Sequence, residues 1–164
     1  MKIVDLCAGG GSVSRTFRKI YPDAHITTVD LRKLKEMDGK HTHIVSDIRD
    51  LPLSSMEDID ILWASPPCEH YSIARSRGGP RNFALYDSIV KKVLEIITEC
   101  KPKRWFIENP GGQALMHKRP FMLEWEPYRR ETTYCKFGFL YRKNTSIWSN
   151  TLLLHGGLPM CSKD

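Results

Sequence analysis

Long apolar runs are missing from this chain of 164 residues. The uninterrupted ones, such as the run at 61–64, are far shorter than the roughly 18 to 20 residues that cross a bilayer. The first residues lead directly into strand-like sequence, so we expect neither a membrane span nor a secretory signal. Internal repeats and low-complexity linkers are also missing, and the length suits one globular domain over residues 1–164.

Cysteine pairs with the spacing of a metal site are absent too. The chain has five cysteines, an odd number, and they are widely separated with no C-x-x-C pair. This pattern argues against a disulfide framework and a structural zinc site, so we expect no bound metal and a reducing, cytoplasmic compartment. The cysteines are Cys7, Cys68, Cys100, Cys135 and Cys161.

Acidic residues are outnumbered by basic ones. Nineteen Asp and Glu face 25 Lys and Arg, which gives a formal net charge of +6. This charge is compatible with an anionic partner such as nucleic acid, although many proteins are equally basic without one.

Short β-rich runs alternate with segments of helical period along the first two thirds of the chain, a pattern typical of a parallel sheet covered on both faces. We therefore predict a doubly wound α/β fold, mostly parallel, with an antiparallel hairpin at one edge. The predicted strands are 2–6, 25–29, 42–45, 59–64 and 105–107, the helices 13–20 and 82–100, the hairpin strands 131–134 and 146–148, and a loop with a short helix 111–127.

A glycine-rich turn follows the first predicted strand, in the segment DLCAGGGS at 5–12. Glycines allow a tight turn close to a ligand, and the next helix directs free N–H groups at a phosphate or carboxylate. The dinucleotide fingerprint is incomplete, because its third glycine would stand where Ser14 is. A plain strand-to-helix turn is therefore the alternative.

Two carboxylates follow the next predicted strands. Asp30 lies about 20 residues beyond the glycines, where a carboxylate can accept both hydroxyls of a ribose. Asp47, after the third strand, can meet an adenine in the same crevice. Either acid alone is more often a solvated charge, but with the glycine turn they indicate an adenosine-containing ligand.

A cysteine and an acid follow the fourth and fifth strands. Two prolines precede Cys68 and fix it on a rigid, non-helical turn at the ligand edge of the sheet. Glu108 follows an apolar run, so partial desolvation should raise its pKa and let it donate a proton. An acid that caps a loop is the alternative for Glu108, and no chemistry is assigned to Cys7 or Cys100.

These motifs together resemble those of the cytosine-5 DNA methyltransferases. DLCAGGGS is similar to the S-adenosylmethionine loop of that family, PPCEHYS to its nucleophile motif, and IENP to the segment with its catalytic glutamate. GFLYRK at 138–143 is similar to the later motif whose arginine holds the cytosine. The resemblance covers about residues 1–148 and implies a Rossmann-like methyltransferase sheet with S-adenosylmethionine as cofactor.

The resemblance also implies a role for each matching residue. Cys68 would attack C6 of the cytosine, Glu108 would act at N3, and Arg142 would hold O2. The substrate would be DNA whose cytosine is flipped out or already single-stranded. The implied cofactor-binding residues are Asp5, Cys7, Ala8, Gly9, Gly10, Gly11, Ser12, Asp30, Leu31, Asp47, Ile48 and Pro66.

Departures from the family pattern are equally informative. Glu69 stands where a glutamine usually follows the nucleophile, Pro110 replaces a valine, and Tyr141 replaces a glutamine. Sixteen residues follow Trp148, so we expect neither a target-recognition domain nor the motif that closes the cofactor pocket. A separate protein could supply target recognition, and a phage or viral source would place the protein in the cytoplasm or nucleus of a host cell.

The loop at 73–82 is basic and contains no acid. Its Arg75, Arg77 and Arg81 could grip phosphate, with two glycines as a hinge, or the loop could simply be solvated. The leading interpretation is methylation of C5 of cytosine in DNA. The alternatives are the same chemistry on RNA or on a free pyrimidine nucleotide, and a non-catalytic cofactor-binding subunit of a split methyltransferase.

Overall fold

A seven-stranded sheet organises the chain in the computed structural model, which describes residues 1–35, 37–73, 79–151 and 158–161. The strands are β1 (Lys2–Leu6), β2 (His25–Asp30), β3 (His41–Val45), β4 (Ile61–Ala64), β5 (Arg104–Pro110), β6 (Arg129–Thr133) and β7 (Asn144–Ser149). Their order is β3-β2-β1-β4-β5-β7-β6, in which β1 to β5 run parallel and β7 runs antiparallel to β5 and β6. The predicted sheet and its antiparallel edge hairpin are confirmed.

Two α-helices cover the two faces of this sheet, α1 (Ser12–Ile20) and α2 (Phe83–Cys100). Helix α2 begins one residue later than predicted because the Asn82 side chain caps it, accepting a hydrogen bond from the Leu85 amide at 3.1 Å. It ends at Cys100, and the next residue, Lys101, caps it in a left-handed conformation just before Pro102.

Alternation along the strands divides the buried side chains between the two faces. Val4, Leu62 and Ile107 belong to the larger cluster, which includes the buried face of α2. Ile3, Ile26 and Ile61 belong to the smaller cluster, against which Phe17 of α1 packs. The prediction of a sheet covered on both faces is thus confirmed.

Helical coverage is sparser than a fully doubly wound fold would have. Among the described residues, the connections from β2 to β3 and from β3 to β4 contain no α-helix, only the 3-10 turns Ile48–Asp50 and Leu53–Ser55. The first connection is largely charged and offers few apolar side chains for a helix to bury. The predicted loop at 111–127 contains the 3-10 segment Met116–Lys118 and most of Pro120–Tyr128.

A disulfide contradicts the expectation from cysteine spacing. Cys135 and Cys161 are bonded, with their Cα atoms 6.8 Å apart, so the argument against disulfides was wrong for this pair. The two residues are 26 positions apart in sequence, and only the folded chain brings them together. The Thr132 hydroxyl donates to the Pro159 carbonyl at 2.7 Å and fixes the same segment to β6.

None of the helices in the described part of the chain is long and apolar enough to cross a membrane.

Candidate active site

The carboxyl ends of the parallel strands bring the predicted functional segments to one edge of the sheet. Because β1 pairs with both β2 and β4, and β4 pairs with β5, the turns that follow these strands are neighbours. The glycine turn, Asp30, the Cys68 turn and Glu108 all lie at this edge, as the order of strands requires.

The glycine turn is fixed by Asp30. Cys7, Gly9 and Gly11 all have positive φ angles of 56°, 56° and 74°, so the chain reverses tightly before α1. The Gly9 amide donates to Asp30 Oδ2 at 2.8 Å. The two segments that the sequence suggested for one ligand are therefore in direct contact.

A cavity of about 230 Å³ lies beside this contact. Five of the predicted cofactor-binding residues line it, namely Cys7, Asp30, Leu31, Asp47 and Ile48. Val29, Arg32, Ser46, Pro67 and Ile89 complete the lining. The remaining predicted residues lie outside the lining; among them, Pro66 is buried and its neighbour Pro67 faces the cavity.

Two arginines that the sequence interpretation missed belong to the two acids of this cavity. Asp30 Oδ1 accepts from the Arg32 amide at 3.0 Å, and the Arg49 guanidinium reaches Asp47 Oδ2 at 2.6 Å. The hydrogen bond from Arg49 holds the pKa of Asp47 below its usual value. The sequence does contain a signal for these two arginines, because each acid is the first residue of an Asp-x-Arg triplet.

Asp5 supports the glycine turn from within the protein and is fully buried. Burial raises its pKa to about 6, although the Ser14 hydroxyl donates to Asp5 Oδ2 and partly opposes that shift. Burial, together with Asp30, also raises the pKa of the neighbouring Cys7 thiol to about 12. Cys7 is therefore an inert thiol at neutral pH, in line with assigning it no chemistry.

Hydrogen bonds fix the Cys68 turn both before and after the cysteine. The Asn109 side-chain amide donates to the Pro66 carbonyl at 2.9 Å, which fixes the turn against the end of β5. The Cys68 carbonyl accepts from the amides of Tyr71 and Ser72 at 2.9 and 2.8 Å. Cys68 is half-buried on this non-helical turn, as its prolines predicted.

The Cys68 thiol lies in a field that opposes its ionisation. Burial raises its pKa, and the negative charges of Glu69 and Glu108 raise it further, while the Lys143 ammonium acts in the opposite sense. Cys68, Glu108 and Lys143 are therefore close enough to influence one another's charge. A resting thiol, rather than a thiolate, is the form that this environment favours.

Lys143 pairs with Glu108, a contact that sequence reasoning missed. Its Nζ lies 3.3 Å from Glu108 Oε1 and 4.8 Å from the centroid of the Tyr134 ring. Burial disfavours the ammonium, but Glu108 and Tyr134 outweigh that cost and raise the pKa of Lys143.

Arg142 lies at the protein surface. Its side chain is exposed, and its Nε donates to the side-chain Oδ1 of Asn144 at 3.3 Å. Within the described part of the chain it is Lys143, one residue later, that contacts Glu108. The role of Arg142 at the base remains a prediction.

A second buried network holds the segment that follows Cys68. The Tyr71 hydroxyl donates to Asp87 Oδ1 at 2.7 Å, and Arg119 makes a bidentate pair with Asp87 at 2.7 and 3.1 Å. The Arg119 guanidinium also stacks over the Phe83 ring, 4.3 Å from its centroid. Burial and the contact with Asp87 raise the pKa of Tyr71, so its phenol stays neutral.

Of the three arginines of the basic loop, the structure describes Arg81, whereas Arg75 and Arg77 lie outside the described residues. The Arg81 guanidinium donates to the carbonyls of His70 and Ser72, in the latter case at 3.1 Å. Arg81 thus fixes the segment after Cys68, and its contact with phosphate remains a prediction.

The described residues contain no group of three His, Cys, Asp or Glu side chains that could hold a metal ion.

The strand order and the acid-lined cavity at the ends of β1 to β3 define an S-adenosylmethionine-dependent methyltransferase fold.

The family follows from the sequence match. A profile of C-5 cytosine-specific DNA methylases matches residues 1–122, and the chain belongs to this family. A protein of Frog virus 3 (isolate Goorha), described as a DNA (cytosine-5)-methyltransferase, is 29% identical over 57% of this chain and 47% of the viral protein.

Solved structures agree on the fold. A DNA modification methyltransferase described from a prophage of E. coli has a TM-score of 0.65 at 13% identity, covering 91% of this chain and 46% of that one. Dnmt2 of S. pombe has a TM-score of 0.64 at 15% identity, covering 91% and 50%. At such low identity this likeness establishes the fold alone. The chain spans about half the length of these relatives and of the viral protein.

Proposed function

We propose that this protein transfers a methyl group from S-adenosylmethionine to C5 of cytosine in DNA, through a covalent bond between Cys68 and the base. The observation that carries the proposal is that the cavity lined by the two acids adjoins the Cys68 turn. Pro67 lines the cavity that Asp30 and Asp47 also line, and Cys68 follows it directly. A cofactor in that cavity would therefore border the nucleophile.

The cavity fits an adenosine-containing cofactor by its charges. Asp30 and Asp47 offer carboxylate oxygens to ribose hydroxyls and to an amino group, and Leu31, Ile48 and Ile89 supply apolar walls. S-adenosylmethionine, when bound, supplies an electrophilic methyl group. The residues of this chain bind it, hold it beside the Cys68 turn and direct the chemistry at the base.

The chemistry at the base explains why a thiol and an acid are needed together. The resting Cys68 thiol first loses its proton to solvent, and attack of the thiolate at C6 opens the C5–C6 double bond, so that the electron pair makes C5 nucleophilic. Donation by Glu108 at N3 stabilises the negative charge that this attack creates. After methylation, loss of the C5 proton to solvent restores the double bond and expels the thiolate.

Lys143 adds a condition to this cycle. It holds Glu108 in an ion pair, at 3.3 Å. Donation to N3 requires Glu108 to be protonated, so the pair must loosen when the base enters. A cytosine that inserts beside Glu108 would compete for the same carboxylate oxygens.

Recognition of a target sequence by a separate protein is part of this proposal. The segments that carry the predicted chemistry, within residues 5–143, are assigned to the cofactor and the base. A separate protein would supply the sequence-reading surface.

The test is incubation with radiolabelled S-adenosylmethionine against DNA, RNA and cytidine nucleotides, followed by digestion to nucleosides. We expect label in 5-methyl-2′-deoxycytidine from the DNA pool. Cys68→Ser should abolish transfer, whereas Cys100→Ser, a half-buried cysteine near Leu53, should retain it. Label in the RNA or nucleotide pool would assign a different substrate, and label in no pool would contradict the proposal.

Two further measurements separate the cofactor from the nucleophile. Calorimetry with S-adenosylhomocysteine should give binding that weakens about tenfold or more in Asp30→Ala. The control is Asp60→Ala, an acid that pairs with Lys103 away from the cavity. An oligonucleotide with 5-fluorocytosine should trap a covalent adduct on the Cys68 peptide, because fluorine cannot leave as a proton does.

A further inference from the structure

The loop between β6 and β7 presents an apolar surface to solvent. We name residues 134–143 the aromatic loop. Phe137 and Tyr141 are each 55% exposed, Phe139 is 49% exposed, and Leu140 is fully exposed. Contiguous exposed apolar side chains of this size are unusual on a protein that has no partner for them. We therefore expect this surface to bind a ligand.

The rings of the aromatic loop support one another. Tyr134 contacts Phe139 and Tyr141, with ring centroids 5.1 and 6.1 Å apart, and Phe139 and Tyr141 are 5.7 Å apart. Gly138, with a φ of 85°, reverses the chain so that these rings meet. The rings form a platform before any ligand arrives, which lowers the entropy cost of binding.

The charge of the aromatic loop selects the kind of ligand. Lys136, Arg142 and Lys143 lie in the same ten residues, which contain no acid. Lys136 and Arg142 are exposed beside the rings. Aromatic faces interleaved with cations suit a nucleic-acid strand, whose unpaired bases stack on rings while its phosphates meet the charges. A base inside a duplex already stacks on its neighbours and has no free face to offer.

The aromatic loop also lies beside the proposed active site. The pairing of Asn109 with Ser146 and of Pro110 with Thr145 sets the start of β7 against the end of β5. Lys143 spans the two, touching Glu108 and Tyr134. A cavity of about 420 Å³ extends from the loop over the sheet, and Glu108 is the charged residue among those described in its lining.

We propose that the aromatic loop binds an unpaired nucleic-acid strand, stacking bases that flank the target cytosine on Phe139 and Tyr141 and contacting phosphates through Lys136 and Arg142. The inference rests on the proposed function and names its substrate class: a single-stranded or locally opened strand. Stacking on the loop would hold the strand while its cytosine reaches Glu108 and Cys68.

The experiment measures binding without catalysis. Fluorescein-labelled single strands of DNA and RNA of one sequence, and the matching DNA duplex, are titrated by anisotropy in the absence of cofactor and over a range of salt. The test variant is Phe139→Ala with Tyr141→Ala. A ring-preserving variant, Phe139→Tyr with Tyr141→Phe, keeps the stacking surface. The control is Leu123→Ala with Tyr128→Ala, two residues that are 62% and 40% exposed and precede the opposite end of β6.

The expected result is tighter binding of a single strand than of the duplex, weakened about tenfold or more by loss of the two rings. The ring-preserving and control variants should bind within about twofold of the original protein. The salt dependence should stay unchanged in all three variants, because none removes a charge. Comparison of the DNA and RNA strands identifies which one the loop prefers.

Three outcomes would overturn the inference: equal binding by the variant without the two rings, equal binding of duplex and single strand, or no binding of nucleic acid by the original protein. The last would leave a protein partner as the occupant of the loop. Failure of the proposed function is distinguishable, because absent methyl transfer with ring-dependent binding would remove the enzyme activity and leave the loop assignment standing.

Discussion

Asn109 and Pro66 join the two halves of the proposed catalytic site: the Asn109 side-chain amide donates to the Pro66 carbonyl at 2.9 Å. Asn109 follows Glu108 directly, and Pro66 lies two residues before Cys68. One hydrogen bond thus sets the distance between the strand that carries the acid and the turn that carries the thiol. Asn109 is 1% exposed, so water does not compete for this bond.

Asn109→Ala should lower the rate of methyl transfer by about 10- to 100-fold, because Glu108 and Cys68 are then held less firmly in position relative to each other. The loss of a buried hydrogen bond should also cost about 1 to 2 kcal/mol of unfolding free energy. The control is Asn150→Ala, whose side chain accepts from the Trp105 amide at 3.0 Å near the other end of β5. It should lower stability and leave transfer intact, and equal effects on transfer would refute the positioning role.

The rate at which Cys68 reacts with iodoacetamide should depend on the charges of its neighbours. Burial and the nearby carboxylates raise its pKa, so its alkylation should still be rising at pH values where an ordinary thiol has reached its plateau. Glu108→Gln should speed alkylation severalfold at pH 8 and Lys143→Met should slow it, because one removes a negative charge and the other a positive charge.

Peptide mass spectrometry separates Cys68 from the other free thiols. Cys100 serves as the internal reference, since neither Glu108 nor Lys143 contributes to the shift of its pKa. If both substitutions move Cys68 and Cys100 alike, the effect is global and the electrostatic contact is not the cause.

Arg119→Met should destabilise the fold by about 2 kcal/mol, because it leaves the largely buried Asp87 without its bidentate partner. The apolar Met side chain keeps part of the packing over Phe83. Lys103→Met breaks an ion pair whose lysine side chain is 77% exposed, and should leave the free energy of unfolding close to that of the original protein. Urea unfolding of both variants makes the comparison, and similar costs would show that burial does not strengthen the Asp87 pair.

Asp5 should make the protein less stable as the pH rises through the acid range. Its pKa is raised from 3.8 to about 6, so the folded state binds more protons than the unfolded state between those values. The stability lost between pH 4 and pH 7 from this group is on the order of 3 kcal/mol. Asp5→Asn should remove that loss, so the variant gains on the original protein as the pH increases.

Urea unfolding at pH 4.5 and pH 7.5 measures this difference. Asp60 provides a control of opposite sign, because its pKa is lowered by the hydrogen bond from Lys103. Its stabilising contribution is present at neutral pH and is lost as the pH falls through the acid range. An Asp5→Asn variant whose advantage is the same at both pH values would mean that Asp5 is not desolvated.

The sequence by itself determined the family, the order of the functional segments and most of the sheet. Short β-rich runs predict β1, β2 and β4, because strands that are buried on both faces read as short, nearly continuous runs of strand-forming residues. The positions of the glycine turn and Cys68 also follow from local chemistry, since glycine and proline restrict the backbone through their own side chains.

The tertiary structure decided which charged side chain meets which partner. Arg142 and Lys143 are equivalent as sequence, but their side chains diverge where the chain enters β7, and only Lys143 pairs with Glu108 in the described contacts. The folded chain also brings the carbonyls of His70 and Ser72 to the Arg81 guanidinium, contacts that the basic loop sequence did not predict. The disulfide between Cys135 and Cys161 also depends on how β6 approaches a distant segment. Long side chains and distant cysteines find partners through the relative placement of whole elements, and local sequence patterns do not encode that placement.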